Sequence, residues 1–522
     1  MNGFTRWFRS GKKRADHKAK PRPNPSLDAE NKYIDSSIDI NKKQIQQTFG
    51  KDADLVFKPI PLGPFTNKAY LVYMDSLSDP HTINDSIVKP LLQWKDKLED
   101  RRTETSKDFR WIKDQVIAVG DLKEVDTWEP LYLELLSGNT MLIADGISKA
   151  LSIHSAGLEK RSIEEASSST VIRGPREGFT EDLRTNMMLI RKRIRDKRLR
   201  CTQMIIGEMS KTDVVVMYME GVAVPEVVQE LFHRLEKIRT TSILESGNIE
   251  EYIQDKFLTP FPTVYNTERP DTIAAAIMEG RVAILVNGTP FVLLVPALFV
   301  HFFQVAEDYY QRADIAFFLR ILRYIALVIS LLAPALYIAI STFHQEMLPT
   351  PLLISLAAQR EGTPFPAFIE AVIMEFTFEV LREAGVRLPR AVGQAVSIVG
   401  ALVIGQAAVE AGIVSAAMVI VVSVTAITSF VFPSFNMSIS IRMLRFIFMI
   451  CAATFGLFGI TVGLIVLILH LCSLKSFGVP YLSPFAPWDV DDQSDAIFRF
   501  PSWMKKKVPD YVKRYKPASN KE

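Results

Sequence analysis

At 522 residues the chain is long enough to bury the cores of two or three domains. Its net charge of only +3, with acids and bases scattered through each other and no basic stripe interleaved with aromatics, argues against a nucleic-acid partner. The cysteines Cys201, Cys451 and Cys472 are odd in number and lack CxxC spacing, which excludes a disulfide framework or a cysteine metal site and leaves them as small buried hydrophobes.

Residues 1–50 are polar, basic (Arg6, Arg9, Lys12, Lys13, Arg14) and spotted with Pro21, Pro23 and Pro25. That composition reads as a disordered arm, or as a segment that touches anionic lipid. No apolar h-region opens the chain, so the charged amino-terminal half is expected to stay cytoplasmic. From residue 51 the pattern turns globular. Ala69–Met74 alternates as a strand does, Ile83–Trp94 is amphipathic at helical period, and a strand is expected at Gln115–Val119. A helix over Trp128–Leu136 and paired strands at Met141–Ala144 and Ala150–Ile153, turning at Asp145-Gly146, complete a first α/β subdomain, 51–165.

A Ser-rich stretch, 164–170, leads to a second subdomain, 166–280. There a helix is expected from Asp182 to Arg195 with Thr180 as its cap, then strands at Met204–Gly207 and Val214–Tyr218 and a helix at Glu226–Ile238. Val282–Gln304 is apolar but interrupted by Asn287-Gly-Thr-Pro290 and by Pro296. Leu348–Leu356 is too short to span a bilayer. Both read as re-entrant or interfacial pieces. Residues 281–310 are expected to couple the two halves, with Pro290 and Pro296 as candidates for the elbow because they prevent a continuous helix.

Four runs are long and apolar enough to cross a membrane: Tyr324–Ser341, Ala391–Val409, Ile413–Phe432 and Phe446–Leu471. They lie in a helical domain, 311–475, before a tail, 476–522, whose Lys505, Lys506 and Lys507 favour the cytoplasm. An even number of crossings satisfies both chain ends, but Arg442 and Arg445 then flank the last span on the outward side. The expected fold class is thus an α/β two-subdomain cytoplasmic amino-terminal region followed by an α-helical multi-pass membrane domain.

No Gly-rich phosphate loop, GxSxG elbow or HExxH motif occurs. His154, Ser152 and Asp145 are better explained as ordinary surface residues than as a hydrolytic trio. No catalytic, cofactor or metal site is expected. The informative polar groups lie in the helical half. Glu375, Glu379 and Glu383 recur at i, i+4 and i+8 along one helix face, and Glu370 lies on another. In an assembly of several copies that face would make stacked carboxylate rings, as in cation pores; alternatively the helix lies flat with its acids in water. Gln394 and Gln406 could line a pathway or hydrogen-bond across helices. Gly456, Gly459 and Gly463 would let helices approach closely.

Particular strings then carry a resemblance. Asn266-Thr-Glu-Arg-Pro-Asp271, Glu279-Gly-Arg-Val-Ala-Ile-Leu-Val286 and Asn287-Gly-Thr-Pro-Phe-Val-Leu-Leu-Val-Pro296 resemble the signature of the GerA family of spore germination proteins. Thr342-Phe-His-Gln-Glu346, Leu348-Pro-Thr-Pro-Leu352, Arg360-Glu-Gly362, Glu383-Ala-Gly-Val-Arg-Leu-Pro389, Gly405-Gln-Ala-Ala408 and Ser476-Phe-Gly-Val-Pro-Tyr481 look like the same family. Upstream, Arg173-Gly-Pro-Arg-Glu-Gly-Phe-Thr180 is similar to its soluble domain. The resemblance implies the A subunit of a nutrient germinant receptor in the spore inner membrane, and no enzyme. It implies a transporter-like B subunit that senses the nutrient, a lipoprotein C subunit, and homo-oligomerisation into a cation channel whose opening triggers germination. The rival readings are a non-conducting scaffold, a secondary transporter and the paralogous stage V sporulation AF-type subunit.

Overall fold

The computed structural model describes residues 33–62, 68–97, 109, 112–113, 116–117, 121–157, 165–166, 171–387, 403–488 and 492–499. They form two compact units, one of Met1–Ile45 with Val56–Gly157, the other of Gln46–Leu55 with Leu158–Glu522.

The last third of the segment expected as a disordered arm is ordered. Ile38–Phe49 is helix α1, which buries Ile38, Ile45 and Phe49 at helical spacing. In the first unit, β1 (Leu55–Ile60), β2 (Ala69–Met74), β3 (Leu122–Val125), β4 (Thr140–Ala144) and β5 (Ala150–Ile153) build a sheet in the order β1-β2-β4-β5-β3. A π-helical turn, Thr82–Val88, runs into α2 (Lys89–Lys97), and Ile83, Ile87 and Leu91 pack on Leu71, Leu142 and Leu151. Helix α3 (Trp128–Leu136) buries Leu131 and Leu135 and packs on β4. Central strand β4 is buried at every position, as a strand covered on both faces must be. Of the strand expected at Gln115–Val119, only residues 116 and 117 are described, and they are not strand; the edge strand is β3.

In the second unit α4 (Leu183–Arg193) is capped by Asp182, whose carboxylate accepts from Thr185 N at 2.8 Å. Thr180 is not the cap, because it lies too early; its hydroxyl accepts instead from Asp182 N at 3.3 Å. Next come β6 (Leu199–Ile206), β7 (Thr212–Met219), α5 (Pro225–Lys237), α6 (Ser246–Ile253), β8 (Tyr265–Thr267), α7 (Pro270–Met278), β9 (Val282–Val286) and β10 (Val292–Val295). The sheet order is β6-β7-β9-β10-β8, antiparallel throughout. Val216, Ile284 and Leu293 face Val227, Leu231 and Ile249 of α5 and α6. The intervening Val215, Met217 and Leu285 are also buried, and α4 and α7 pack on β7 and β9.

This sheet corrects the reading of 281–310. The apolar stretch is no re-entrant helix but the hairpin β9–β10, fully buried at each strand position. A short apolar run fits a two-face-covered strand as well as a membrane piece, and only its sheet partners decide. The hairpin turns at Gly288, whose φ of +92° is glycine's province.

The helical part comprises α8 (Ala313–Thr342), α9 (Thr350–Glu361), α10 (Ala367–Arg387), α11 (Ala416–Ser429) and α12 (Phe435–Ser473). Of the span expected at Ala391–Val409, residues 391–402 lie outside the described residues and 403–410 are helical. Helix α11, at 14 residues, covers only part of the expected Ile413–Phe432 span and is about 21 Å long. Helix α9 buries none of its side chains.

Among the described residues, α8 and α12 have the length and apolar composition to cross a membrane, but α12 is not one rod. At Gly456 φ is +58° and ψ −139°, a conformation closed to residues with a side chain, and the chain doubles back. A Cβ on Gly463 would sit 3.0 Å from the Phe448 ring, and one on Gly459 would collide with the Cys451 carbonyl. In a straight helix Phe448 and Gly463 would stand about 22 Å apart. Gly459 and Gly463, expected to admit neighbouring helices, are therefore consumed within one hairpin. At its base Ser440 and His470, one on each arm, hydrogen-bond Pro260 and Thr259 of the loop between α6 and β8. At its tip Gly456 packs on Phe343 and His344, at the far end of α8.

The described part of the tail after Lys475, which ends at residue 499, is bound to the rest of the unit. A two-strand ribbon, β11 (Lys475–Ser476) with β12 (Val479–Pro480), places Phe477 and Val479 in the core of the second sheet, and Ala496 joins them. Ser476 Oγ ties the tail to that sheet's surroundings, accepting from Ala297 N at 2.9 Å and donating to Thr263 O at 2.7 Å. The reversal at Gly456 is open to a direct check. In a background with Cys451→Ser and Cys472→Ser, Phe448→Cys with Gly463→Cys should form an intramolecular disulfide or short-reagent cross-link, read as a mobility shift. A single straight helix would give none.

Candidate functional site

Charged side chains inside an apolar helix bundle must be paired or they lose several kcal/mol of hydration. The bundle meets this at three levels between the α/β sheet and the hairpin tip. At the base, Arg320 and Arg323 of α8 converge on Asp308. Arg323 grips it with two bonds, Nη1 to Oδ2 at 2.7 Å and Nη2 to Oδ1 at 2.9 Å, and Arg320 Nε adds a third at 3.1 Å. Arg320 Nη1 also reaches Asp495 Oδ1 at 3.1 Å and its carbonyl at 2.7 Å, so the tail's acid completes the cluster.

At mid-height the buried guanidinium of Arg445, on the first arm of the hairpin, joins three helices. Its Nη1 donates to Glu375 Oε2 of α10 at 2.6 Å, its Nε to the Ser330 carbonyl of α8 at 2.7 Å, and its Nη2 to Ser330 Oγ at 2.8 Å. One turn nearer the base Arg442 pairs with Glu379. Arg382, three residues on from Glu379, stands between the rings of Phe430 and Phe435 at 5.6 and 6.0 Å. Toward the tip Glu370 is fully buried. Its Oε2 accepts from Ser415 N at 3.0 Å and Oγ at 2.9 Å, capping α11 from outside, while Arg360 approaches Oε1 at 3.7 Å.

The expected face of acids is thus divided. Glu375 does not lie in water: within this chain it is buried against Arg445. Glu379 is half-buried against Arg442. Glu383 is exposed and bonds Arg387 of its own helix at 2.7 Å. Gln406 is exposed and donates to Glu410 at 2.8 Å; Gln394 lies outside the described residues. Pro290 sits in the β9–β10 turn, at the end of the hairpin away from Val282 and Val295. Pro296 is at the other end, where β10 leaves the sheet for the aromatic group of Phe299, Phe302, Phe303 and Tyr481 that packs under α8 and α12. The imagined hydrolytic trio is not assembled: His154 faces Asn139, Ser152 faces Glu134, and Asp145 accepts from Ile38 N.

In the sequence these arginines read as charges flanking the last span, not as partners of the acids. Arg442 and Arg445 are one turn apart, as are Glu375 and Glu379, and this matched spacing of opposite charge on two apolar helices was the available signal.

Where the sheet meets the α11–α12 connection, a cavity with apolar walls of Tyr265, Phe291 and Phe435 also presents Glu245, Glu250 and Asn266. Glu245 accepts from Ser246, Gly247 and Thr289, which hold it low although burial opposes them. Burial pushes the Glu250 carboxyl up to about 7, against one long bond from Asn266 at 3.4 Å.

Residues 43–511 match the model of the Bacillus/Clostridium GerA spore germination protein family. The chain is 49% identical over 482 residues to spore germination protein KA of Bacillus subtilis (strain 168), covering 92% of this chain and 88% of that one. It is 40% identical to spore germination protein GerLA of Bacillus cereus over 470 residues, 90% of this chain and 94% of the relative. A crystal structure of the N-terminal domain of the A subunit of the Bacillus megaterium spore germinant receptor GerK3 aligns with 52% of this chain and 98% of its own. Identity there is 34% and the TM-score 0.40.

Two outcomes follow from the buried charges. Arg445→Met alone strands Glu375 and should cost about 3–5 kcal/mol of stability, whereas adding Glu375→Leu should recover much of it. Thermal unfolding of the full chain in detergent checks the cycle. For Glu250 the folded-state pKa lies above the unfolded value, so its stabilising effect is intact at pH 4 and is lost as pH rises through 7. Glu250→Gln should therefore flatten the pH dependence and gain roughly 1–3 kcal/mol over the parent at pH 8.

Proposed function

The chain belongs to the GerA family of spore germination proteins, and on that premise we propose that it is the A subunit of a nutrient germinant receptor acting as an oligomeric cation channel. Its site is the spore inner membrane, with a transporter-like B subunit as nutrient sensor and a lipoprotein C subunit as partners. The observation that carries this reading is the ion-paired interior of the helix bundle. Glu375–Arg445 and Glu379–Arg442 tie α10 to the hairpin inside an apolar surround, and charge is kept at that depth where a pathway needs it.

The hairpin supports a multi-pass topology with both ends in the cytoplasm. Because α12 reverses at Gly456, Arg442 and Arg445 lie toward the end of the bundle that holds the α/β sheet and the tail. The conflict that a straight last span creates with the positive-inside rule disappears. Each arm is roughly 25–30 Å long, near the thickness of a hydrocarbon core.

In this mechanism the two ion pairs hold α10 against the hairpin in the closed state. Nutrient binding to the partner favours a state in which Glu379 and Glu375 turn toward the oligomer axis and attract cations. Glu383 and Gln406 stand at the ends of that path, Glu370 fixes the start of α11, and Pro296 carries motion of the sheet into the bundle. A pair worth about 1–2 kcal/mol biases such an equilibrium by about five- to thirtyfold.

Potassium release from spores distinguishes the two partners of one pair. Arg442→Gln should raise release before nutrient is added, and Glu379→Gln should slow nutrient-triggered release, each with assembly of the complex confirmed. Equal effects of the two changes would remove the pair from gating. Absence of current from the reconstituted receptor under every partner combination would make the chain a scaffold.

A further inference from the structure

We propose that the loop between α6 and β8 is a membrane-interface anchor: Phe257 and Leu258 enter the headgroup–acyl boundary of the leaflet facing the α/β sheet. Lys256 lies beside them, at the level of the lipid phosphates. The inference rests on reading the hairpin as membrane-embedded.

Loop tips of soluble domains are usually polar. This one presents adjacent apolar side chains that are 76% and 88% exposed. The loop is nevertheless held firmly. Lys256 Nζ reaches Ser473 Oγ at 3.4 Å, Thr259 Oγ1 meets His470 Nε2 at 2.9 Å, and the Pro260 carbonyl accepts from Ser440 Oγ. Phe261 turns back beside the His470 ring, 6.3 Å between centroids, and is buried. Both arms of the hairpin are therefore tied to the residues flanking Phe257 and Leu258, which fixes the pair at the hairpin base.

The returning arm shows what lies at that level. Ile465, Val466, Ile468 and Leu469 are all more than half exposed, an unpartnered apolar strip that ends one turn before Ser473. Phe257 and Leu258 extend that strip sideways from the arm's end, and Lys256 and the exposed Lys475 bracket it with cations. Apolar groups ending in a basic rim is the pattern of an interfacial segment on an anionic leaflet. The tip is continuous with the apolar strip of the returning arm, which is read as membrane-embedded, and so shares its surroundings. The occupant is therefore lipid.

The test uses the full chain with Cys451→Ser and Cys472→Ser, Cys201 being buried. Leu258→Cys carries a polarity-sensitive fluorophore, and Val466→Cys is labelled in parallel. Each is reconstituted in vesicles of phosphatidylcholine with phosphatidylglycerol containing lipids brominated near the glycerol or near the chain end. The label at 258 should emit to the blue of its value in water and lose most of its emission to the shallow bromines but not to the deep ones. Quenching at 466 without quenching at 258 overturns the anchor and leaves the membrane reading standing. No quenching at either position overturns that reading and the anchor with it. A blue shift at 258 that no bromine quenches means protein covers the tip, and also overturns the anchor.

Discussion

A guanidinium cannot be left bare among apolar helices, and the arrangement of this bundle follows from how Arg445 avoids that state. Its five donors lie in one plane, and three of them are met by a carboxylate from α10 and two oxygens of Ser330 from α8. Three helices distant in sequence are thereby held to one register. The bonds are directional, whereas the packing of Leu331, Ala335 and Met449 around them is not. Burying such a pair adds little net stability over apolar packing, but it makes misregistered packings costly, because each leaves a charge alone.

The same logic runs through the second unit at another scale. Arg191 of α4 is buried between Asp52 and Asp54, 2.7 and 2.6 Å away, and so draws the segment after α1 into this unit. Arg320 and Arg323 draw in Asp308 and Asp495. In both of these places arginine with aspartate fixes a segment to a helix. Between these points the aromatic group of Phe299, Phe302, Phe303 and Tyr481 joins sheet to bundle without a flexible connection. Motion in one part of that unit must then be rigid-body motion of both, or must break this packing.

Local pattern made much of the α/β region legible. Ala69–Met74, Trp128–Leu136 and Ala150–Ile153 lie where period and turn residues place them, since alternation and helical spacing are properties of the segment itself. The failures share a cause. Val282–Gln304 is ambiguous because a strand's partners, not its own residues, distinguish β9 and β10 from a membrane piece. Phe446–Leu471 looked like one span because a reversal costs only one glycine, and Gly456 resembles its neighbours Gly459 and Gly463 until φ is known. The acids at 375 and 379 were visible by spacing, yet their surroundings were not, because Arg442 and Arg445 arrive from more than sixty residues away.

The tail adds a constraint in time. Phe477, Val479 and Ala496 fill the core of a sheet whose strands were all completed by Val295, and Asp495 neutralises an arginine on α8. A ribosome emits these residues only after every helix of the bundle has left it. The second sheet must therefore wait, with part of its core open to water, until the whole bundle has been synthesised. A truncated product would carry a complete set of helices attached to an unfinished sheet, which gives proteolytic surveillance an exposed handle on incomplete chains.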